Sequence, residues 1–163
     1  MVDDTSLTPL PKCCLSVVIP CFNEAPSVKK VVEDFARAVP DAEIYVFDNR
    51  STDDTAKIAE AAGATVIYSP HQGKGNVIRH MARVVDADAY MLVDGDDTYS
   101  AAAAPALLER FNRDALDMLV GTRLESFESG SFRVFHQLGN KLISWLVSAL
   151  FGTKLTDVLS GYR

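Results

Sequence analysis

From Leu15 to Cys21 the chain is apolar with hardly a break, and Pro20 bounds the run. Such a run is the signature of a strand covered on both faces. The period then changes: Val28, Val31, Val32, Phe35, Ala36 and Val39 fall at i, i+3, i+4, i+7, i+8 and i+11, the stripe of an amphipathic helix with Pro26 near its start and Pro40 at its end. Residues 44–47 predict a second buried strand, and Ser51 to Asp54 a capping-box-like helix start that Gly63 stops. A third strand over 65–68 follows, and residues 77–85 return to helical spacing. Next come a fourth strand over 90–93, a helix over 103–112 and a fifth strand over 118–120. Residues 122–130 are polar and loop-like, and 132–151 read as a long helix with Phe135, Leu138, Leu142, Trp145, Leu146 and Ala149 along one side.

Alternation of short β-rich runs with helices implies right-handed crossovers and predicts an α/β domain, a mainly parallel central sheet with helices on both sides. Ligands of open parallel sheets bind outside the carboxyl ends of the strands. The residues that end the predicted strands are Pro20 to Glu24, Asp48 with Asn49, and Asp94 to Asp97, so polar and acidic groups gather on one rim.

Composition narrows what that rim can serve. The 163 residues suit one domain with a core, and 48% hydrophobic with 23% charged residues fits a soluble α/β protein. A net charge of −6 argues against a general nucleic-acid binder, which needs a basic stripe to replace phosphate counterions. Cys13, Cys14 and Cys21 are odd in number and lack zinc-site spacing, which implies reduced thiols and a cytoplasmic setting. Residues 1–14 read as a short polar lead without the basic and apolar regions of a signal peptide. The most apolar stretch, 142–151, is about half of the ~20 residues a bilayer requires, so no membrane anchor is expected in this chain. The ending at Ser160-Gly161-Tyr162-Arg163 predicts a domain truncated at its C-terminus.

Asp94-Gly95-Asp96-Asp97 puts three carboxylates into four residues where a strand gives out. A hard divalent cation or a proton relieves such crowding, although an ordinary acidic turn has the same composition. Gly95 would let the chain bend so that the acids need not face opposite sides. Asp48 is placed to accept hydrogen bonds from a base N–H or a ribose hydroxyl, whereas Ser51 and Thr52 read better as turn and helix-cap residues. Asn23 and Glu24 are either further nucleotide contacts or the polar lead into the first helix. His71-Gln72-Gly73-Lys74-Gly75-Asn76 departs from G-x-x-x-x-G-K-[ST], yet glycines around a lysine before a helix can offer N–H groups and one cation to an anion. His71 and His80 have no second ligand at helical spacing and are expected to pack or to face solvent. Arg123 and Arg133 either make bidentate phosphate contacts or stand solvated on a loop, and Asp157 is a base or a positioner.

In this order, Val18-Ile19-Pro20-Cys21-Phe22-Asn23-Glu24, Phe47-Asp48-Asn49-Arg50-Ser51-Thr52-Asp53, Gly73-Lys74-Gly75-Asn76, Asp94-Gly95-Asp96-Asp97 and Asp157-Val158-Leu159-Ser160-Gly161-Tyr162-Arg163 resemble the family 2 glycosyltransferases. The likeness runs from Leu15 onward and is greatest to the dolichyl-phosphate mannose synthase branch and its bacterial polyprenyl-phosphate relatives. It implies a GT-A (Rossmann-like) three-layer sandwich, with 15–163 an incomplete nucleotide-sugar-binding catalytic domain. The activity implied is inverting hexosyl transfer from a GDP- or UDP-linked sugar to a polyprenyl or dolichyl phosphate, or else to a saccharide hydroxyl. By the same resemblance Pro20, Phe22, Asn23, Glu24, Asp48, Asn49, Ser51, Gly73, Lys74, Asp94 and Gly95 would line the nucleotide, while Asp94 and Asp96 would hold Mn²⁺ or Mg²⁺ on the diphosphate. Asp157, Asp96, Arg123 and Arg133 form the implied catalytic set, the arginines holding anionic groups and Asp157 acting as base or acceptor positioner.

Two departures stand out. Many relatives have Asp-Asp-Gly where this chain has Asp48-Asn49-Arg50, and relatives continue past the Ser-Gly-Tyr-Arg segment. Residues 142–151, flanked by Lys141 and Lys154, either cover the sheet or lie in a membrane interface, which would put the longer protein at the cytoplasmic face of the inner membrane. A sugar-phosphate nucleotidyltransferase would want a glycine-rich loop after the first strand, and residues 20–26 contain no glycine. A nucleotide-binding module without turnover is the non-enzymatic alternative.

Overall fold

The computed structural model describes residues 14–121 and 161–162. Within them run β1 (Leu15–Cys21), α1 (Val28–Ala38), β2 (Glu43–Asp48), α2 (Thr55–Ala61), β3 (Thr65–Tyr68), α3 (Lys74–Val84), β4 (Ala89–Leu92), a 3₁₀ turn (Ala101–Ala103) and α4 (Ala104–Arg113). All strand pairs are parallel and the sheet order is β3-β2-β1-β4. The chain therefore steps outward from β1 to β3, then returns past β1 to lay down β4. That reversal makes a topological switch point between the carboxyl ends of β1 and β4, where an open α/β sheet has a crevice.

Alternation within the strands sorts the core into two layers. Val17 and Ile19 of β1, Ile44 and Val46 of β2, and Met91 of β4 pack with Val28, Val31, Val32 and Phe35 of α1, Ala59 of α2 and Ala104 of α4. Val18 and Phe47 face the other way, against Val77 and Met81 of α3. The sheet is thus sandwiched between α1, α2 and α4 on one side and α3 on the other. Every residue of the α1 stripe is buried except Ala36, whose small side chain stays exposed. β1 is covered on both faces, as its unbroken apolar run predicts, whereas β3 at the edge is half covered and Tyr68 is exposed.

The fifth strand predicted over 118–120 is absent. Residue 121 makes one antiparallel bridge, Gly121 to Tyr162, with the Gly121 N–H donating to the Tyr162 carbonyl at 2.9 Å. An apolar run becomes a strand only with a ladder beside it, and here Met118 is exposed. The long helix predicted over 132–151 lies outside the described residues. Among the described residues no helix is long and apolar enough to cross a membrane.

Candidate active site

Side chains bind the loops after β1 and β2 to each other. Asn23, at φ +58°, accepts on Oδ1 from the Thr52 N–H (2.8 Å) and hydroxyl (3.2 Å), and its own N–H donates to Ser51 Oγ at 3.0 Å. The Glu24 N–H donates to Thr55 Oγ1 at 2.9 Å and the Ala25 N–H to Asp53 Oδ2 at 3.2 Å. Asn49 is buried and works in both directions. Its Nδ2 donates to the carbonyls of Ser69 (3.1 Å) and His71 (2.8 Å), while Oδ1 accepts from the Gly73 N–H at 2.7 Å. Asn23, Asn49 and Ser51 thus hold the rim in shape. Asp48, also buried, accepts from the Ser51 N–H at 3.2 Å through Oδ1. Pro20 sits half-buried within β1 and Phe22 is exposed at its mouth.

The acid loop at the end of β4 is clamped from both layers. Lys74, the first residue of α3, pairs with Asp94 Oδ1. On the opposite side Lys30 of α1 reaches Asp97 Oδ1 at 2.7 Å and Asp34 Oδ2 at 2.9 Å, and those two hydrogen bonds hold its ammonium above the usual lysine range. Ser27 Oγ donates to the Gly95 carbonyl at 2.7 Å. Asp96 Oδ1 accepts the Thr98 N–H at 3.0 Å, and its carboxylate has no cation partner among the described residues. Glu24 stands beside it: burial first, then the charge of Asp96, pushes the Glu24 carboxyl above the usual range, while the Ser27 hydroxyl pulls it down.

Gly95 has a reason for being glycine other than a bend. A Cβ there would lie 2.6 Å from Cys21 Sγ, so it permits the close approach of the β4 loop to β1. The residue with left-handed backbone in this loop is Asp97, at φ +61°. Burial, then the charges of Glu24 and Asp48, raise the Cys21 thiol far above its ordinary pKa, which keeps it protonated and inert.

Gly161 and Tyr162 close the site from the far end of the sequence. The Gly161 N–H donates to the Tyr99 hydroxyl at 2.6 Å, and any side chain at position 161 would overlap the Asp94 carboxylate. Tyr162 is buried, edge-on to Phe35 at 6.0 Å and tilted against Tyr99 at 5.5 Å, and burial pushes its phenol up to about 12. The anchors Ser27, Lys30, Thr55 and Tyr99 escape a reading of the sequence. For Tyr99 the one signal was an aromatic residue just past an acidic loop. His71 is exposed, while His80 packs edge-on against Phe47 at 5.6 Å. Arg123, Arg133 and Asp157 lie outside the described residues.

Acids thus gather at a parallel-sheet switch point, facing the start of α3, where open α/β sheets offer a crevice to ligands. The family profile for glycosyl transferase family 2 matches residues 16–159. The chain belongs to glycosyl transferase family 2. This family 2 transferase is 50% identical over 123 residues to Protein RfbJ of Shigella flexneri, covering 76% of this chain and 95% of RfbJ. It is 27% identical over 159 residues to the undecaprenyl-phosphate mannosyltransferase of Micrococcus luteus, covering 90% of this chain and 63% of that protein. Among solved structures, glucosyl-3-phosphoglycerate synthase from Mycobacterium tuberculosis in complex with Mn²⁺ and UDP-glucose superposes with a TM-score of 0.67 at 23% identity, covering 93% of this chain and 55% of that one. The fold is therefore the Rossmann-like GT-A fold. The chain spans most of RfbJ but less than two thirds of the other two proteins.

Proposed function

We propose that residues 15–163 form the donor-binding part of a cation-dependent, inverting glycosyltransferase that moves a hexosyl group from a nucleoside-diphosphate sugar to a polyprenyl phosphate. One observation carries this reading: Glu24, Asp94 and Asp96 crowd the β1/β4 switch point, and among the described residues only Lys74 offsets the charge of Asp94. Carboxylate oxygens are the hard donors that Mn²⁺ and Mg²⁺ prefer, so the residues present fit either ion. Among the described residues no three ligating side chains are gathered ready for a metal. A cation held by Asp94 and Asp96 would complete its shell with phosphate oxygens and water, as Mg²⁺ commonly does. When bound, it supplies a Lewis acid for the charge that develops on the leaving diphosphate.

The chain's own residues supply the rest. Asp48 presents a carboxylate to the nucleoside, and the first turn of α3, entered at Gly73 with φ +115°, directs N–H groups and the positive end of the helix dipole toward the phosphates. The likeness to an undecaprenyl-phosphate mannosyltransferase supports a lipid-phosphate acceptor. A phosphate monoester with a second pKa near ~6 is mostly dianionic at neutral pH and needs no strong base to attack. A saccharide hydroxyl does need one, and Asp157 is the residue we assign to that work, with Arg123 and Arg133 holding anionic groups. This chemistry belongs at the cytoplasmic face of a membrane.

The deciding experiment is a thermal-shift screen of UDP, GDP and their hexose conjugates with and without Mn²⁺. Stabilisation by one nucleotide series, dependent on Mn²⁺ and lost in both Asp94→Asn and Asp96→Asn, is the expected result. No response to any sugar nucleotide in the presence of Mn²⁺ would sink the proposal. For the acceptor, Asp157→Asn should keep most activity toward a polyprenyl phosphate and lose nearly all toward a sugar hydroxyl.

A further inference from the structure

Asp94 already has a cation, and the protein supplies it. Lys74 Nζ takes Oδ1, while the backbone of Gly161 is packed so closely against Oδ2 that even a methyl group there would collide with it. Gly161 thus crowds Oδ2, and an ion that approaches Oδ1 meets the ammonium. An ammonium and a metal ion on one carboxylate oxygen repel each other through a few ångströms. We infer that Lys74 is a resident counter-ion, displaced from Asp94 when the metal enters and transferred to the diphosphate of the nucleotide. Metal and nucleoside diphosphate then bind well only together. The inference rests on the cation reading of Asp94 proposed above and adds an order of events to it.

Geometry makes the exchange feasible. Lys74 is the first residue of α3, so its side chain can swing without breaking a helical hydrogen bond. The Lys74 side chain is 45% exposed and that of Asp94 21%, so the pair is accessible from solvent at its lysine end. Lys30 does not share this role: it is tied to both Asp97 and Asp34, on the other side of the loop. Taking the ammonium away leaves Asp94, Asp96 and Glu24 with no neutralising neighbour among the described residues, and taking a metal in restores the balance. Lysine removal should thus strengthen metal binding, the opposite of what a purely structural lysine would do.

Calorimetric titration of Mn²⁺ into the full chain tests this, with and without UDP and then GDP, for the wild type, Lys74→Met and Lys74→Gln. Both substitutions suit a helix start exposed to solvent, and circular dichroism confirms that the variants are folded. Without nucleotide, both should bind Mn²⁺ about five- to tenfold tighter than the wild type. The factor by which nucleotide and Mn²⁺ enhance each other's binding should fall in proportion, because linkage is reciprocal. Lys29→Gln, on an exposed lysine paired with Glu33, controls for net charge and should match the wild type. Equal or weaker Mn²⁺ binding in both Lys74 variants, with Asp94→Asn still abolishing it, overturns the counter-ion role and leaves the cation site standing. If Asp94→Asn leaves Mn²⁺ binding unchanged, the cation reading itself falls and the counter-ion role falls with it.

Discussion

Asn49 and Arg50 occupy a turn where Asp and Gly would behave differently, and each makes a measurable claim. Asn49→Asp replaces a double donor with a charge facing the Ser69 and His71 carbonyls. It should cost about 2–3 kcal/mol in urea unfolding at neutral pH. That deficit should shrink in acid, where a protonated carboxyl can donate once. Arg50 holds φ +72°, a conformation glycine adopts freely. Arg50→Gly should therefore raise stability by about 0.5–1 kcal/mol, read as a higher urea midpoint at unchanged slope. The sequence marked Asn49 as a strand-end residue of the rim and Arg50 as a departure from the family pattern. It could not tell that Asn49 turns inward, because its partners stand twenty or more residues along the chain.

Elements were easier to read than their neighbours. The period of three to four in α1 and the unbroken run in β1 mark those elements directly, since burial on one face or both leaves its trace in spacing. Which strand lies beside which is a property of crossovers, and the place of β4 next to β1 came with the sheet order. The apolar residues 118–120 look like a strand by composition but find no ladder. Contact between the ends of β1 and β4 invites its own test. Gly95→Ala drives a methyl into Cys21 Sγ and should destabilise the protein by about 1–3 kcal/mol. Placing it on a Cys21→Ala background should recover part of that loss, and a double-mutant cycle with no coupling would refute the close approach.

Across the whole molecule the net charge of −6 is partly concentrated where function is proposed. Glu24 offers a handle on this. Its carboxyl titrates above the usual glutamate value in the fold, so the unfolded chain releases that proton first. The contribution to stability is full while Glu24 is protonated and is lost as pH rises from the ordinary value through the raised one. Wild type and Glu24→Gln should therefore diverge as pH rises from the ordinary glutamate range upward in metal-free buffer, with the variant gaining relative stability on the alkaline side. Parallel urea curves at every pH would contradict the burial and Asp96 effects assigned to this group. The gathering of acids on one rim was legible because three strand ends converge there by topology. The Lys74–Asp94 pairing was not, since it spans two elements on different layers.

The single bridge from Gly121 to Tyr162 joins two points far apart in sequence. Gly121, beyond α4, and the pair Gly161 and Tyr162, packed against Asp94 and Phe35, therefore share one point of attachment. A change that loosened this bridge would be felt at the acid rim, because Gly161, next to Tyr162, lies against the Asp94 carboxylate.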